Sequence, residues 1–253
     1  MYIWFFYGYN TKNILLGRDI LMSIFNNLVN VINNYNFVCR NWILNNDISY
    51  EYEKGYKAPT FLMSKSEFLE YKIFNEIKYI DGFKKILVDL LINLDNEKSS
   101  QIDLIALHKS GIYVIECKNL SFNINGNYSD KYWNFSSNSM YSPLYQNKSH
   151  IESLKNKLNI YDDSYFNSII VFGNKSSFNI KNDSCNEQFY NPLITSQKNI
   201  KSSLSKITIE KKDLLSDDEL IDIYKKLSIY SKATPEDKLK HIEYVKMNKK
   251  SLI

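Results

Sequence analysis

The spacing of apolar positions divides the chain from Ser64 onward into helical and extended segments. Leu69, Ile73 and Ile77 recur at helical spacing in SKSEFLEYKIFNEIKYI, which predicts an amphipathic helix over 64–80. Ser64 and Glu67 stand at its start with the spacing of a capping box, where hydroxyl and carboxylate satisfy each other's free backbone donors. KKILVDLLI reads as a strand, with the charged NLDNEKSS as the turn after it. Two further apolar runs, in QIDLIALHKSGIYVIECKN (101–119), flank a short turn and predict a hairpin. YSPLYQNKSHIESLKNKL is helical and entered through Pro143, which a first turn tolerates. SIIVFG is a continuous apolar run, the pattern of a strand covered on both faces.

The flanks are helical by the same criterion. Ile20, Ile24, Leu28, Val31, Ile32 and Tyr35 predict an amphipathic helix between Asp19 and Phe37, and NDISYEYEKGYKAPT, with Pro59, reads as a connector. The tail from Ser216 is helical and lysine-rich, with Pro235 breaking it. The order helix, strand, strand, strand, helix, strand predicts an α/β fold in which helices flank a sheet of mixed direction. The expected division is an N-terminal helical extension over 1–60, a central domain over 61–200 and a C-terminal helical tail over 201–253.

The hairpin carries charge where strands usually bury hydrocarbon. Glu116 and Lys118 lie two residues apart and so share a face. The turn decides where Asp103 goes. A two-residue turn at Lys109 and Ser110 sets His108 opposite Gly111 and, counting back, Asp103 opposite Glu116, with Cβ atoms about 5 Å apart. A three-residue loop with Gly111 in a left-handed conformation shifts the register by one. Two carboxylates on one buried face repel each other, and a divalent cation relieves that repulsion. Oxygen ligands suit Mg²⁺ or Mn²⁺, and a neighbouring lysine can hold a water and stabilise a phosphate oxygen. This is equipment for phosphodiester hydrolysis.

Composition changes the picture little. The 253 residues include 44% hydrophobic and 24% charged residues, as in a globular protein, and the net charge of +4 permits an anionic partner without demanding one. The three cysteines, Cys39, Cys117 and Cys185, form no CxxC pair, so neither zinc nor a disulfide framework is expected. They point to a reduced, cytoplasmic protein. MYIWFFYGYN is aromatic but too short to cross a bilayer, and membrane contact is not expected.

Asp103 followed by Glu116-Cys117-Lys118 resembles the D…(D/E)xK signature of the restriction-endonuclease-like, PD-(D/E)xK, nucleases. More closely, Gln101-Ile102-Asp103 and GIYVIECKN resemble the nuclease-related domain family, known as NERD. NINGNYSDKYW, ending at Trp133, is similar to the family's G-x-x-G…W segment, and SPLYQNKSHI to its N-P-x-x-Q-N…H helix. The likeness covers roughly residues 61–175, and four segments in order are specific where a bare D…ExK is not.

The resemblance implies a restriction-endonuclease-like core and a Mg²⁺- or Mn²⁺-dependent nuclease acting on DNA. Asp103 and Glu116 would be metal ligands, joined by the backbone carbonyl of Cys117, and Lys118 would position the water. Glu67 matches the family's first-helix acid, although Ser66 replaces the family's glycine before it; Glu70, one turn on, is the alternative. Gln146 matches the helix glutamine, expected at the active site or on DNA. His150 falls one turn after Gln146 and can face the same way, but a lone histidine is more often structural, as His108 at the hairpin tip is expected to be. Tyr141, Tyr145 and Trp133 are further candidates for stacking on a strand. Alternatives to a free-standing nuclease are a non-cleaving nucleic-acid-binding scaffold and a partner-activated effector, for example in defence against phage. Its partner would dock on the terminal helical extensions.

Overall fold

The computed structural model describes residues 65–82, 85–93, 99–183 and 187–232, and beyond them 237, 239–241 and 243–244. The predicted helix between Asp19 and Phe37, the connector over 46–60, Ser64, Cys39, Cys185 and Pro235 lie outside the described residues, as does the side chain of Glu67.

The expected α/β architecture is present. Helix α1 (Lys65–Ile77) is followed by β1 (Lys85–Asn93), β2 (Ser99–His108) and β3 (Gly111–Lys118). After β4 (Asn123–Asn127), β5 (Tyr132–Phe135) and β6 (Asn138–Tyr141) come α2 (Pro143–Leu158) and β7 (Phe166–Phe172). The chain continues through β8 (Ser177–Lys181), β9 (Leu193–Ser196), α3 (Ile200–Glu210) and α4 (Asp217–Ser228). Strand β2 begins at Ser99, so the two serines assigned to a turn from their polarity are strand residues.

The main sheet has the order β1-β2-β3-β7-β9, with an antiparallel β1-β2-β3 meander and parallel β7 and β9. Helices cover both of its faces. On one side Leu69, Ile73, Phe74 and Ile77 of α1 and Leu204 of α3 pack on Val88, Leu104, Tyr113 and Ile115. On the other, Ile151 and Leu154 of α2 and Leu220 and Leu227 of α4 pack on Leu87, Ile105, Ile112 and Val114. Odd and even residues of β3 thus serve opposite layers, as the pleat requires. Glu116 and Lys118 continue the Ile112–Val114 row and point to the α2 side.

A second sheet, β6-β5-β4-β8, was not anticipated from the sequence. It packs around fully buried Trp133, with Leu144, Phe172 and Phe189 in the same cluster. The Trp133 indole Nε1 donates to the Asn127 carbonyl at 2.9 Å, and a Cβ on Gly126 would collide with the indole. The glycine and tryptophan of this segment are therefore a packing pair, and Trp133 offers no stacking face to a ligand.

No helix among the described residues is long and apolar enough to cross a membrane.

Candidate functional site

The hairpin adopts the two-residue turn: His108 pairs with Gly111. Gly111 has φ +136°, and a Cβ there would stand 2.6 Å from the Tyr165 carbonyl oxygen, so both backbone conformation and packing demand glycine. His108 is occupied in this turn, its Nδ1 2.7 Å from the Ser110 hydroxyl, and it takes no part in the site.

Simple counting along the ladder does not carry through to Asp103. The β2–β3 pairing ends at Leu104↔Ile115, one step before Asp103 would meet Glu116. On the other side of β2 the β1 pairing skips the same residue, passing from Val88↔Leu104 to Leu90↔Ile102. Asp89, opposite the gap, has φ +57°. The break turns the strands: Ile102 joins the α2-side cluster although Leu104 belongs to the α1-side one. Freed from the ladder, the Asp103 carboxylate reaches across to β3, and its Oδ2 accepts the backbone N–H of Cys117 at 2.8 Å. At this register that N–H would otherwise serve Ile102. Asp89 is buried and accepts a 2.7 Å hydrogen bond from Gln101 Nε2.

Glu116, 2% exposed, meets a different neighbour at each oxygen. Oε1 accepts from Lys118 Nζ at 2.6 Å, and His150 Nε2 stands 3.3 Å from Oε2, outside hydrogen-bond geometry. Burial alone would raise the Glu116 pKa, but Lys118 and His150 together hold it below the usual carboxylate range. Lys118 Nζ also donates to Gln146 Oε1 at 2.8 Å. Burial works against its charge, yet Glu116 and Asp103 raise its pKa above the ordinary lysine value. Asp103 moves the opposite way from Glu116. Burial, then Glu116, then Glu70 push its pKa well up, and neither Lys118 nor the Cys117 N–H offsets them.

Helix α2 is aimed by its neighbours. Pro143 opens it, and buried Asn147 pins it to the sheet by donating to the Val114 carbonyl and the Ser168 hydroxyl, each at 2.8 Å. Gln146 and His150, four apart, then face the same way. Gln146 Nε2 lies 3.5 Å from His150 Nε2, and His150 Nδ1 is 2.6 Å from the Ser100 hydroxyl. Glu116, Lys118, Gln146 and His150 therefore form a closed ring of contacts. The reading of His150 as a structural histidine omitted it from this ring. Its four-residue spacing from Gln146 was the available signal, while Ser100 carried none.

From the opposite side of the sheet, α1 brings Glu70. Asn119 Nδ2 donates to the Lys65 carbonyl at 2.6 Å, tying the first turn of α1 to the end of β3. Glu70 is buried, and its charge is felt by both Asp103 and Cys117. Glu67 is one turn earlier on the same helix. The Cys117 thiol is free, and burial followed by the charges of Asp103, Glu70 and Glu116 raises its pKa well above normal, so it is not a thiolate.

Among the described residues no group of three or more His, Cys, Asp and Glu side chains is arranged to hold a metal ion. The chemistry nevertheless fits a hard cation with few protein ligands. Glu116 Oε2 is buried without a hydrogen bond, and the charges of Glu116 and Glu70 outweigh that of Lys118 at Asp103. Mg²⁺ characteristically takes one or two carboxylates and completes its shell with water and phosphate oxygens.

Near the start of α2, Tyr132 and Tyr141 are exposed and pack edge-to-face with ring centroids 5.8 Å apart, and Tyr145 lies 6.3 Å beyond Tyr141. The Tyr145 hydroxyl is tied to the Ser129 carbonyl at 3.1 Å.

No curated protein and no solved structure matches the chain. One family model does, that of the nuclease-related domain, over residues 65–173, which span α1, the charged hairpin, the Trp133 sheet, the Gln146 helix and β7. Residues 65–173 thus match the nuclease-related domain family, NERD, across the elements that build this site.

Proposed function

We propose that the protein is a divalent-metal-dependent nuclease that hydrolyses phosphodiester bonds of DNA. The observation that carries this reading is the double hold on Lys118, whose ammonium is fixed between Glu116 Oε1 and Gln146 Oε1 beside the repelled carboxylate of Asp103. A lysine needed only for solubility would not be immobilised between a buried acid and an amide. Asp103 and Glu116 would hold Mg²⁺ or Mn²⁺ with the Cys117 carbonyl, and the ion, when bound, supplies Lewis-acid polarisation of the phosphorus centre. Lys118 orients the attacking water and counters charge growing on the phosphate oxygens. Gln146 fixes the direction of the ammonium while Glu116 holds its charge. Glu70 and Glu67 supply acid from α1, and the exposed rings of Tyr132 and Tyr141 give bases a face on which to stack.

The segments outside residues 65–173 leave sequence for a partner that switches the site on, as a phage-defence effector would require. The free Cys117 thiol suits a reducing, cytoplasmic setting. The test is cleavage of linear DNA under Mg²⁺ and Mn²⁺ by wild type, Asp103→Asn and Glu116→Gln, with Glu67→Gln and Glu70→Gln alongside. Asp103→Asn and Glu116→Gln should lose cleavage, and one of the two helix variants should lose it without a matching drop in Tm. A wild type that binds DNA but neither cuts it nor binds Mn²⁺ is instead a non-cleaving scaffold.

A further inference from the structure

We infer that His150, fixed by Ser100, is a positioning residue that sets the orientation of the Glu116 carboxylate from the side opposite Lys118. The inference rests on the nuclease reading above and extends it to two residues outside its chemistry.

The geometry follows from which groups can donate. Lysine is a donor only, so Gln146 must present Oε1 to Lys118 and turn its Nε2 toward His150, 3.5 Å away. The imidazole is thereby enclosed. Its Nδ1 meets the Ser100 hydroxyl at 2.6 Å, and its Nε2 faces Glu116 Oε2 at 3.3 Å. Ser100 and His150 are 8% and 6% exposed, so water does not substitute for either contact. A hydroxyl can both donate and accept, so Ser100 secures the ring whichever nitrogen carries the proton.

A carboxylate bonded only through Oε1 can still rotate about its last torsion, which is soft for sp³–sp² bonds. The imidazole on the second oxygen blocks that rotation. It does so without a short hydrogen bond, which leaves Oε2 as the oxygen still able to take a ligand. Residues that support a metal ligand in this way typically change metal affinity or activity by roughly 10–100-fold.

The experiment compares wild type with His150→Ala, His150→Gln, Ser100→Ala and the Ser100→Ala/His150→Ala double variant. Single-turnover cleavage at saturating DNA, DNA affinity, Mn²⁺ affinity by calorimetry and Tm are measured on each. His150→Ala should lower both the cleavage rate and Mn²⁺ affinity by roughly 10–100-fold, with DNA affinity within about twofold of wild type. His150→Gln, whose amide can reach the position of Nε2, should recover much of that loss, which a purely structural role for the ring would not allow. Ser100→Ala should fall the same way by less and add nothing to His150→Ala, because it acts through the ring. Should His150→Ala fail to fold, Ser100→Ala, which removes one hydroxyl, carries the same readouts. Wild-type rate and Mn²⁺ affinity in a folded His150→Ala or Ser100→Ala overturn this inference and leave the nuclease reading standing. A wild type that neither cuts nor binds Mn²⁺ overturns both.

Discussion

Lys118 makes two contacts of different kinds, one to a carboxylate and one to a neutral amide. The first holds its charge, and the second holds its direction. If its task is catalytic, Lys118→Ala should leave DNA bound in the presence of metal while single-turnover cleavage drops by orders of magnitude. If the ammonium were a plain phosphate contact, the same change would weaken binding and reduce the salt dependence by about one unit, with the normal rate restored once DNA is saturating. Binding and cleavage measured together across a salt series separate the two. Lys78 is a second buried lysine, and its pKa moves the other way. It is 8% exposed, lies over the rings of Phe74 and Tyr79, and burial lowers its pKa to about 8. Below that value the amine is charged in both folded and unfolded chains, and the fold bears the cost of desolvating it. Between about 8 and the unfolded value near 10.4 the unfolded chain binds more protons, so stability rises with pH. Lys78→Met should therefore raise Tm at pH 7 by a few degrees, and the gain should shrink as pH approaches 10. A gain that is independent of pH would mean that packing, not charge, is responsible.

The hairpin of β2 and β3 places the acids, and its turn is where a single change does most damage. Gly111→Ala meets both a positive φ and the Tyr165 carbonyl, so it should cost about 2 kcal/mol or more and be visible as a lower denaturant midpoint at unchanged m-value. This element was also the most legible in the sequence. HKSG between two apolar runs admits the short turn, and that turn determines the register over five pairs. Legibility ended where the ladder did. The break at Asp103 depends on the left-handed backbone of Asp89, and its one trace in the sequence is a second acid inside KILVDLLIN. The second sheet escaped because its strands are four or five residues long and two of them, NINGN and NSMY, are mostly polar, while the alternation in SFNIK is too short to mark a strand by itself. Ser99 and Ser100 were read as turn for the same reason, which hid the anchor of His150. Glu116 and Lys118 could be named from residue type and spacing, and Gln146 from the family resemblance. The ring they close with His150 could not, because it joins α2 to a strand 28 residues earlier through tertiary packing.

A molecule that gathers acids in one buried place is less stable for it, and this follows from the direction of the shifts. Below the unfolded pKa near 3.9, Asp103 is protonated in both states and costs nothing. As pH rises from there, the unfolded chain releases its proton first, while the folded site, with its raised pKa, keeps it. Stability falls through that interval and stays reduced above it. Glu116 runs the other way: its lowered pKa stabilises the fold above the unfolded value near 4.3 and is lost as pH falls. Near neutral pH the metal-free protein therefore bears a net penalty at Asp103, and Asp103→Asn should melt higher than wild type while losing cleavage. A divalent ion at the proposed site reverses the order. It binds the folded state alone, so at a concentration 100 times its Kd it adds about 2.7 kcal/mol. For a domain of this size that is roughly 5–10 °C in Tm. Mn²⁺ should give this shift in wild type, little or none in Asp103→Asn and Glu116→Gln, and a reduced one when Glu70 is neutralised. Melting curves with and without Mn²⁺ at pH 7–8 read all four proteins without DNA or turnover. A wild-type Tm that does not move at saturating Mn²⁺ would leave the two carboxylates without a cation and the enzyme reading without its site.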